Sequence, residues 1–115
     1  MTIDSKQYKE ELSHGYDNAA AGWQKWWKTI ETATQEVSKR LVELAEIKPG
    51  SKVLDIATGI REPALTAAKQ VGNTGHIFAI DISPRMISFA KERAICLGLQ
   101  ELVEFREGDA ETIDL

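Results

Sequence analysis

Apolar residues in the first half of the chain recur with a helical period, and from residue 52 they switch to short apolar runs divided by turns. Residues 1–14 have no clear period and are expected to form a frayed or loosely docked arm. From Tyr16 to Trp27 the positions Ala19, Ala20, Trp23, Trp26 and Trp27 fall at helical spacing and predict a first helix. Ile30, Ala33, Val37, Leu41, Leu44 and Ala45 form one stripe of a second, with Glu36, Lys39, Arg40 and Glu43 off it. "KPG" at 48–50 ends that helix, because Pro49 disfavours helical geometry at the residue before it.

The later runs read as strands and helices in alternation. "KVLDIA" (52–57) predicts a short buried strand, followed by a turn at Thr58 and Gly59. Pro63 suits the first turn of a helix, and Ala64, Leu65, Ala68 and Val71 supply that helix's apolar face. "GNTG" (72–75) turns the chain into a second strand, "HIFAI" (76–80). "DISPRM" opens a further helix with Ser83 as N-cap and Pro84 at its first position. Met86, Ile87, Ala90, Ala94 and Leu97 are expected to face inward, and Gly98 to end the helix in a left-handed conformation. "LVEFRE" (102–107) alternates as a third strand, and "GDAETIDL" is read as a loop.

A β-α-β-α-β order with short connections gives a parallel sheet with right-handed crossovers. Two crossovers in one direction set the strand order 3-2-1, half of a doubly wound, Rossmann-like α/β sheet preceded by N-terminal helices. The chain then divides into a helical segment, 1–46, and a half-sheet domain, 47–115. In that arrangement strand 1 has a free edge, and a long apolar edge is a pairing site. The sequence therefore reads as cut before a fourth strand, or as having its edge filled by another copy or another chain.

Composition narrows the setting more than the chemistry. A formal charge of −4 leaves no basic stripe for a nucleic-acid backbone. No apolar run approaches the roughly 20 residues of a membrane span, and the polar start lacks the apolar centre of a secretory signal. The lone cysteine, Cys96, fits a reducing compartment, and its apparent place on an apolar helix face predicts a buried, inert thiol. A cytoplasmic protein is the expectation. His14 and His76 have no partner at metal-binding spacing, so no metal site is expected.

Candidate chemistry collects where such sheets bind ligands, outside the carboxyl ends of the strands. Asp55, Asp81 and Asp109 fall at the ends of the three predicted strands. Gly59 lets backbone amides approach a ligand, and Asp55 beside it suits a cationic amine, held directly or through water. Asp81 lies about 20 residues further on, the spacing at which an acid reaches ribose hydroxyls. Asp109 can accept from an exocyclic amine such as adenine's, with apolar Ile82 against the base. Any one of these acids is readily explained as a turn or cap residue. Three on consecutive strands describe a nucleoside with an amine at each end.

The segments "VLDIATG", "AIDISPRM" and "EGDAE" resemble the donor-binding half of class I S-adenosylmethionine-dependent methyltransferases. The likeness is greatest to the branch holding the ubiquinone and menaquinone C-methyltransferases, and it covers roughly residues 47 to 112. It implies S-adenosyl-L-methionine as cofactor and a small-molecule methyl acceptor. Positions Asp55, Ala57, Thr58 and Gly59 would surround the methionyl part of the donor. Asp81 would bond the ribose, Asp109 and Ala110 the adenine edge, and Ile82 and Met86 complete the donor set. "GYDNAAAGWQKWW" resembles the helix that lids the donor pocket, which adds Tyr16 and Trp23; packing of that helix onto its neighbours explains the tryptophans equally well. Two positions depart from the family's turn: Ala57 stands where a Gly is common, and Arg61 where a third small residue is usual.

A nicotinamide-dependent oxidoreductase is the competing enzyme class. Its G-x-G-x-x-G spacing, read from Ala57, puts Glu62 at the pyrophosphate site, where a carboxylate is electrostatically wrong. The competing non-enzymatic reading is a half-domain that self-associates through strand 1. No catalytic residue is nominated, because in the family much of the acceptor pocket comes from strand 4 onward.

Overall fold

The computed structural model describes residues 4–59 and 62–113. Its elements run α1 (Ser5–Lys25), α2 (Trp27–Leu44), β1 (Lys52–Ile56), α3 (Ala64–Val71), β2 (His76–Asp81), α4 (Pro84–Cys96) and β3 (Val103–Glu107), with short 3-10 turns at Gly72–Thr74 and Ala110–Thr112. The three strands are parallel, with β2 between β1 and β3. Lys52 pairs with His76, and Ile77 with Val103, so all three strands end at one rim. This is the expected 3-2-1 order.

Odd-numbered strand residues form the core face. Ile77, Ala79, Val103 and Phe105 are buried against Leu65, Ala68 and Val71 of α3 and Ile87, Ala90 and Ala94 of α4. Alanines at the contact points let helix and sheet approach closely, and the packed cluster excludes water. The opposite face carries Lys52, Leu54, His76, Phe78, Glu104 and Arg106 and is largely open. Arg106 lies 4.9 Å over the Phe78 ring and partly covers it.

Four expectations are corrected. Residues 5–14 are helical: Asp4 caps α1 by accepting from the Lys6 and Gln7 amides. Ala20 is the buried residue of α1, so its register is not set by an apolar core face, which is why no period was visible there. Strand β1, the unpaired edge strand, is half-exposed: Leu54 (42% accessible) and Ile56 (49%) project away from the core face. Leu97 and Cys96 are exposed: Cys96 lies off the buried face formed by Met86, Ile87, Ala90 and Ala94, and Leu97, in line with that face, is the C-cap past the helix's last residue. The stripe on α2 is not core either. Ser38 and Val42 are the buried residues of α2, while Val37, Leu41 and Leu44 remain exposed.

Other local readings hold. Ser83 caps α4 by accepting from the Met86 amide, with Pro84 at the first helical position. Gly98 has φ +70°, the left-handed stop. One reading shifts by a residue: Pro63 stands at the N-cap of α3 rather than inside its first turn. Gly75 is required for space: a Cβ there would sit 2.7 Å from the Ser51 carbonyl oxygen and closer still to Val71. Among the described residues, no helix is long and apolar enough to cross a membrane.

Candidate functional site

The strand ends meet in a network centred on Asp81. Its Oδ2 accepts from the Gly59 amide at 2.8 Å and its Oδ1 from the Ser83 amide at 2.9 Å. Its backbone carbonyl accepts from the Gly108 amide at 2.9 Å. One buried aspartate thus ties together the turns that follow β1, β2 and β3. The Thr58 amide adds a 2.9 Å bond to the Ile80 carbonyl. The turn itself needs two left-handed residues, Ala57 at φ +60° and Gly59 at φ +63°. Gly59 adopts that conformation without cost, whereas Ala57 is strained there.

Asp55 sits beneath this turn, on the core face of β1. Its Oδ2 is buried without a hydrogen-bond partner, and so is the Thr58 hydroxyl oxygen. Burial raises the Asp55 pKa above the ordinary carboxylate value. The nearby Thr58 hydroxyl and Ala64 amide oppose the rise, and the charges of Glu62 and Asp81 add to it.

A second set of contacts docks α1 across the rim. Lys9, Ser13 and Asp17 lie one turn apart on one face of the helix. Lys9 Nζ pairs with Asp109 at 2.7 Å and Glu111 at 3.1 Å. The Ser13 hydroxyl donates to the Ile82 carbonyl at 3.0 Å. Asp17 accepts from the Ser83 hydroxyl and the Arg85 amide, both at 2.9 Å, and so caps α4 from another helix. The Arg85 amide holds Asp17 below the ordinary carboxylate value, and Lys9 does the same for Asp109. At the start of α2 the Arg93 guanidinium of α4 lies 3.8 Å over the Trp27 ring.

Between α1, α2 and the strand ends lies a cavity of about 720 Å³, within the range of roughly 300–1,000 Å³ usual for ligand sites. Ala57, Thr58, Gly59, Asp81, Ile82, Met86, Asp109, Ala110, Tyr16 and Trp23 all line it. Asp55 does not; it supports the floor from below. Arg61 lies outside the described residues. No cluster of metal-ligating side chains occurs among the described residues. The sequence reading missed Lys9, Ser13 and Asp17, and also the cavity-facing Ile30, Val37 and Leu41 of α2. The first three were legible as polar residues four apart, but only to a search for a polar rather than an apolar stripe.

The cavity fits a cationic, nucleoside-bearing ligand on three counts. It has the buried Thr58 hydroxyl, without a hydrogen-bond partner, in its floor. It has acids at the ends of β2 and β3, Asp81 and Asp109, and an apolar wall formed by Ile82 and Met86.

Residues 47–115 match the family described as a methyltransferase domain. A phosphoethanolamine N-methyltransferase of Arabidopsis thaliana is 42% identical over 96% of this chain, which covers 21% of that protein. A ubiquinone/menaquinone biosynthesis C-methyltransferase of Pseudomonas fluorescens is 28% identical over 96% of the chain and is covered to 44%. Among solved structures, an RNA methyltransferase from Salinibacter ruber in complex with S-adenosyl-L-homocysteine superposes with a TM-score of 0.63 at 29% identity, over 69% of this chain and 50% of that one. The chain thus spans less than half the length of these two curated relatives.

Proposed function

Because the chain belongs to the class I S-adenosylmethionine-dependent methyltransferases, we propose that its strand-end cavity binds S-adenosylmethionine and serves methyl transfer to a small-molecule acceptor. The observation that carries this reading is the convergence of three strand-end turns, joined through Asp81, on one cavity. The methionyl part would lie over Ala57, Thr58 and Gly59. Each Asp81 oxygen receives one backbone amide and keeps acceptor capacity for a ribose hydroxyl. Ile82 and Met86 flank the base, and Asp109 and Ala110 meet its edge. Asp55 supports the turn and contributes negative charge beneath the donor's cationic end. Tyr16 and Trp23 wall the outer side.

When bound, the donor supplies the electrophilic methyl group. The residues of this chain hold it, exclude water behind α1 and fix the direction of transfer, so rate comes chiefly from orientation. The names of the relatives carry two acceptor chemistries, a phosphorylated amine and a quinone-forming ring. The helical segment 1–46 and the sheet domain 47–115 act together in this reading, since α1 and α2 complete the cavity that the sheet begins. A cytoplasmic setting suits the lone cysteine and the absence of any described membrane-length apolar helix.

A second reading rests on a different observation. Leu54 and Ile56 stand exposed on the unpaired edge strand β1, which makes that edge an attachment point for another copy or another chain.

Calorimetry with S-adenosylmethionine tests the first reading. One saturable site is expected for the unaltered chain. Ala110→Trp, an exposed position on the cavity wall, should abolish the heat without unfolding the protein. A folded chain that gives no heat, or an Ala110→Trp variant that binds normally, would refute the assignment.

A further inference from the structure

Resting on the donor site just proposed, we infer that Asp17 of α1 is a positioning residue for that site. Through Ser83 it sets the orientation of Asp81, and Ser13 and Lys9 hold the neighbouring donor contacts from the same helix face. Asp17, Ser13 and Ser83 do not line the cavity, whereas Asp81, Ile82 and Asp109 do. Any effect of the first three on the donor therefore passes through the others.

Hydrogen-bond capacity sets the relay. Ser83 is fully buried, and its hydroxyl has one proton to give. That proton goes to Asp17 Oδ1 at 2.9 Å, while the hydroxyl oxygen accepts from the Met86 amide at 3.2 Å. The Ser83 amide donates to Asp81 Oδ1 at 2.9 Å, and Asp81 Oδ2 takes the Gly59 amide at 2.8 Å. Asp17 Oδ1 also accepts from the Arg85 amide at 2.9 Å. One carboxylate of α1 thus holds the start of α4, and with it the Ser83 amide that faces Asp81. Bonds to an ionised acceptor are about twice as strong as neutral ones, so this hold is firm.

The rest of the helix face extends it. Ser13 donates to the Ile82 carbonyl at 3.0 Å, and Lys9 pairs with Asp109 at 2.7 Å. Lys9 and Asp17 stand about 12 Å apart along the helix axis, which makes α1 a strut between the turn after β2 and the turn after β3. A nucleoside that engages both turns needs their spacing fixed. Order imposed before binding lowers the entropic cost of binding itself.

The test compares Asp17→Ala and Asp17→Asn in the full chain, with S-adenosylhomocysteine as the probe. Asp17→Ala should weaken binding about fivefold or more. Asp17→Asn keeps an accepting oxygen and should retain most of the affinity. In the ligand-free protein the Gly59 amide resonance, linked to Asp17 only through Ser83 and Asp81, should move in Asp17→Ala and move less in Asp17→Asn. Unchanged affinity in Asp17→Ala, or an equal loss in Asp17→Asn, would overturn the inference. So would a loss of affinity with the Gly59 resonance unmoved, because α1 would then serve only as a wall. Should Asp17→Ala not fold, the unaltered chain still decides. Coupling is reciprocal, so saturation with S-adenosylhomocysteine should slow amide exchange in residues 5–17, and unchanged exchange would overturn the inference. If the unaltered chain binds no S-adenosylhomocysteine yet the Gly59 resonance moves in Asp17→Ala, the donor reading fails and the relay to Asp81 stands.

Discussion

Asp81 does two jobs, and its structural one is visible without any ligand. Removing its carboxylate strands the Gly59 and Ser83 amides, so Asp81→Ala should lower unfolding stability by about 2 kcal/mol in urea titrations. Loss of donor binding in that variant would therefore not by itself prove a ribose contact. Ala57 offers the opposite change. It occupies a left-handed conformation, so Ala57→Gly should raise stability by about 1 kcal/mol; an unchanged or lower midpoint would mean the turn is not strained. Asp55 gives a pH signature. Its pKa is raised by burial, so the fold penalises its ionised form. Stability lost to that penalty is absent below the ordinary carboxylate pKa and grows as pH rises through the raised native value. Asp55→Asn should be flat across that window, and its stability relative to the unaltered protein should rise as pH rises through it, because it carries no charge to bury. Parallel pH profiles for the two proteins would exclude it.

Among the elements, α1 depends on polar contacts to an unusual degree, with Ala20 as its buried residue and Lys9, Ser13 and Asp17 as its fasteners. Asp17 and Asp109 have lowered pKa values. Their contribution is complete above the ordinary carboxylate pKa and disappears as pH falls through the depressed native values. Hydrogen exchange in residues 5–17, corrected for intrinsic rate, should accelerate over that acid window and with added salt, which screens exposed pairs. It should accelerate at neutral pH in Lys9→Ala. Exchange that follows global unfolding under all three conditions would mean the helix is held by something else. The same element shows where sequence reading stopped. The helices α3 and α4 were legible because Ala64, Leu65, Ala90 and Ala94 repeat with the period of a buried face. The start of α1 buries nothing, so its residues carried no such period. On α2 the stripe was legible but its destination was not: periodicity tells that a face is apolar, and not whether core or cavity receives it.

For the whole molecule, the parallel order β1-β2-β3 and the gathering of strand ends at one rim followed from counting crossovers in the sequence. The gathering of Lys9 onto Asp109 did not, because it joins residues from opposite ends of the chain. The exposed β1 edge makes a prediction at this scale. The chain should gain mass with concentration in sedimentation, and Leu54→Lys, Ile56→Lys should suppress the gain by charging the edge. A strict monomer at every concentration would leave that edge without a role in self-association. The central claim, that one donor molecule engages all three strand-end turns together, is most directly tested by amide NMR. During titration with S-adenosylhomocysteine, the Gly59, Ser83 and Glu111 resonances should shift along a single isotherm with one midpoint. Shifts confined to one turn, or separate midpoints for the three, would contradict it.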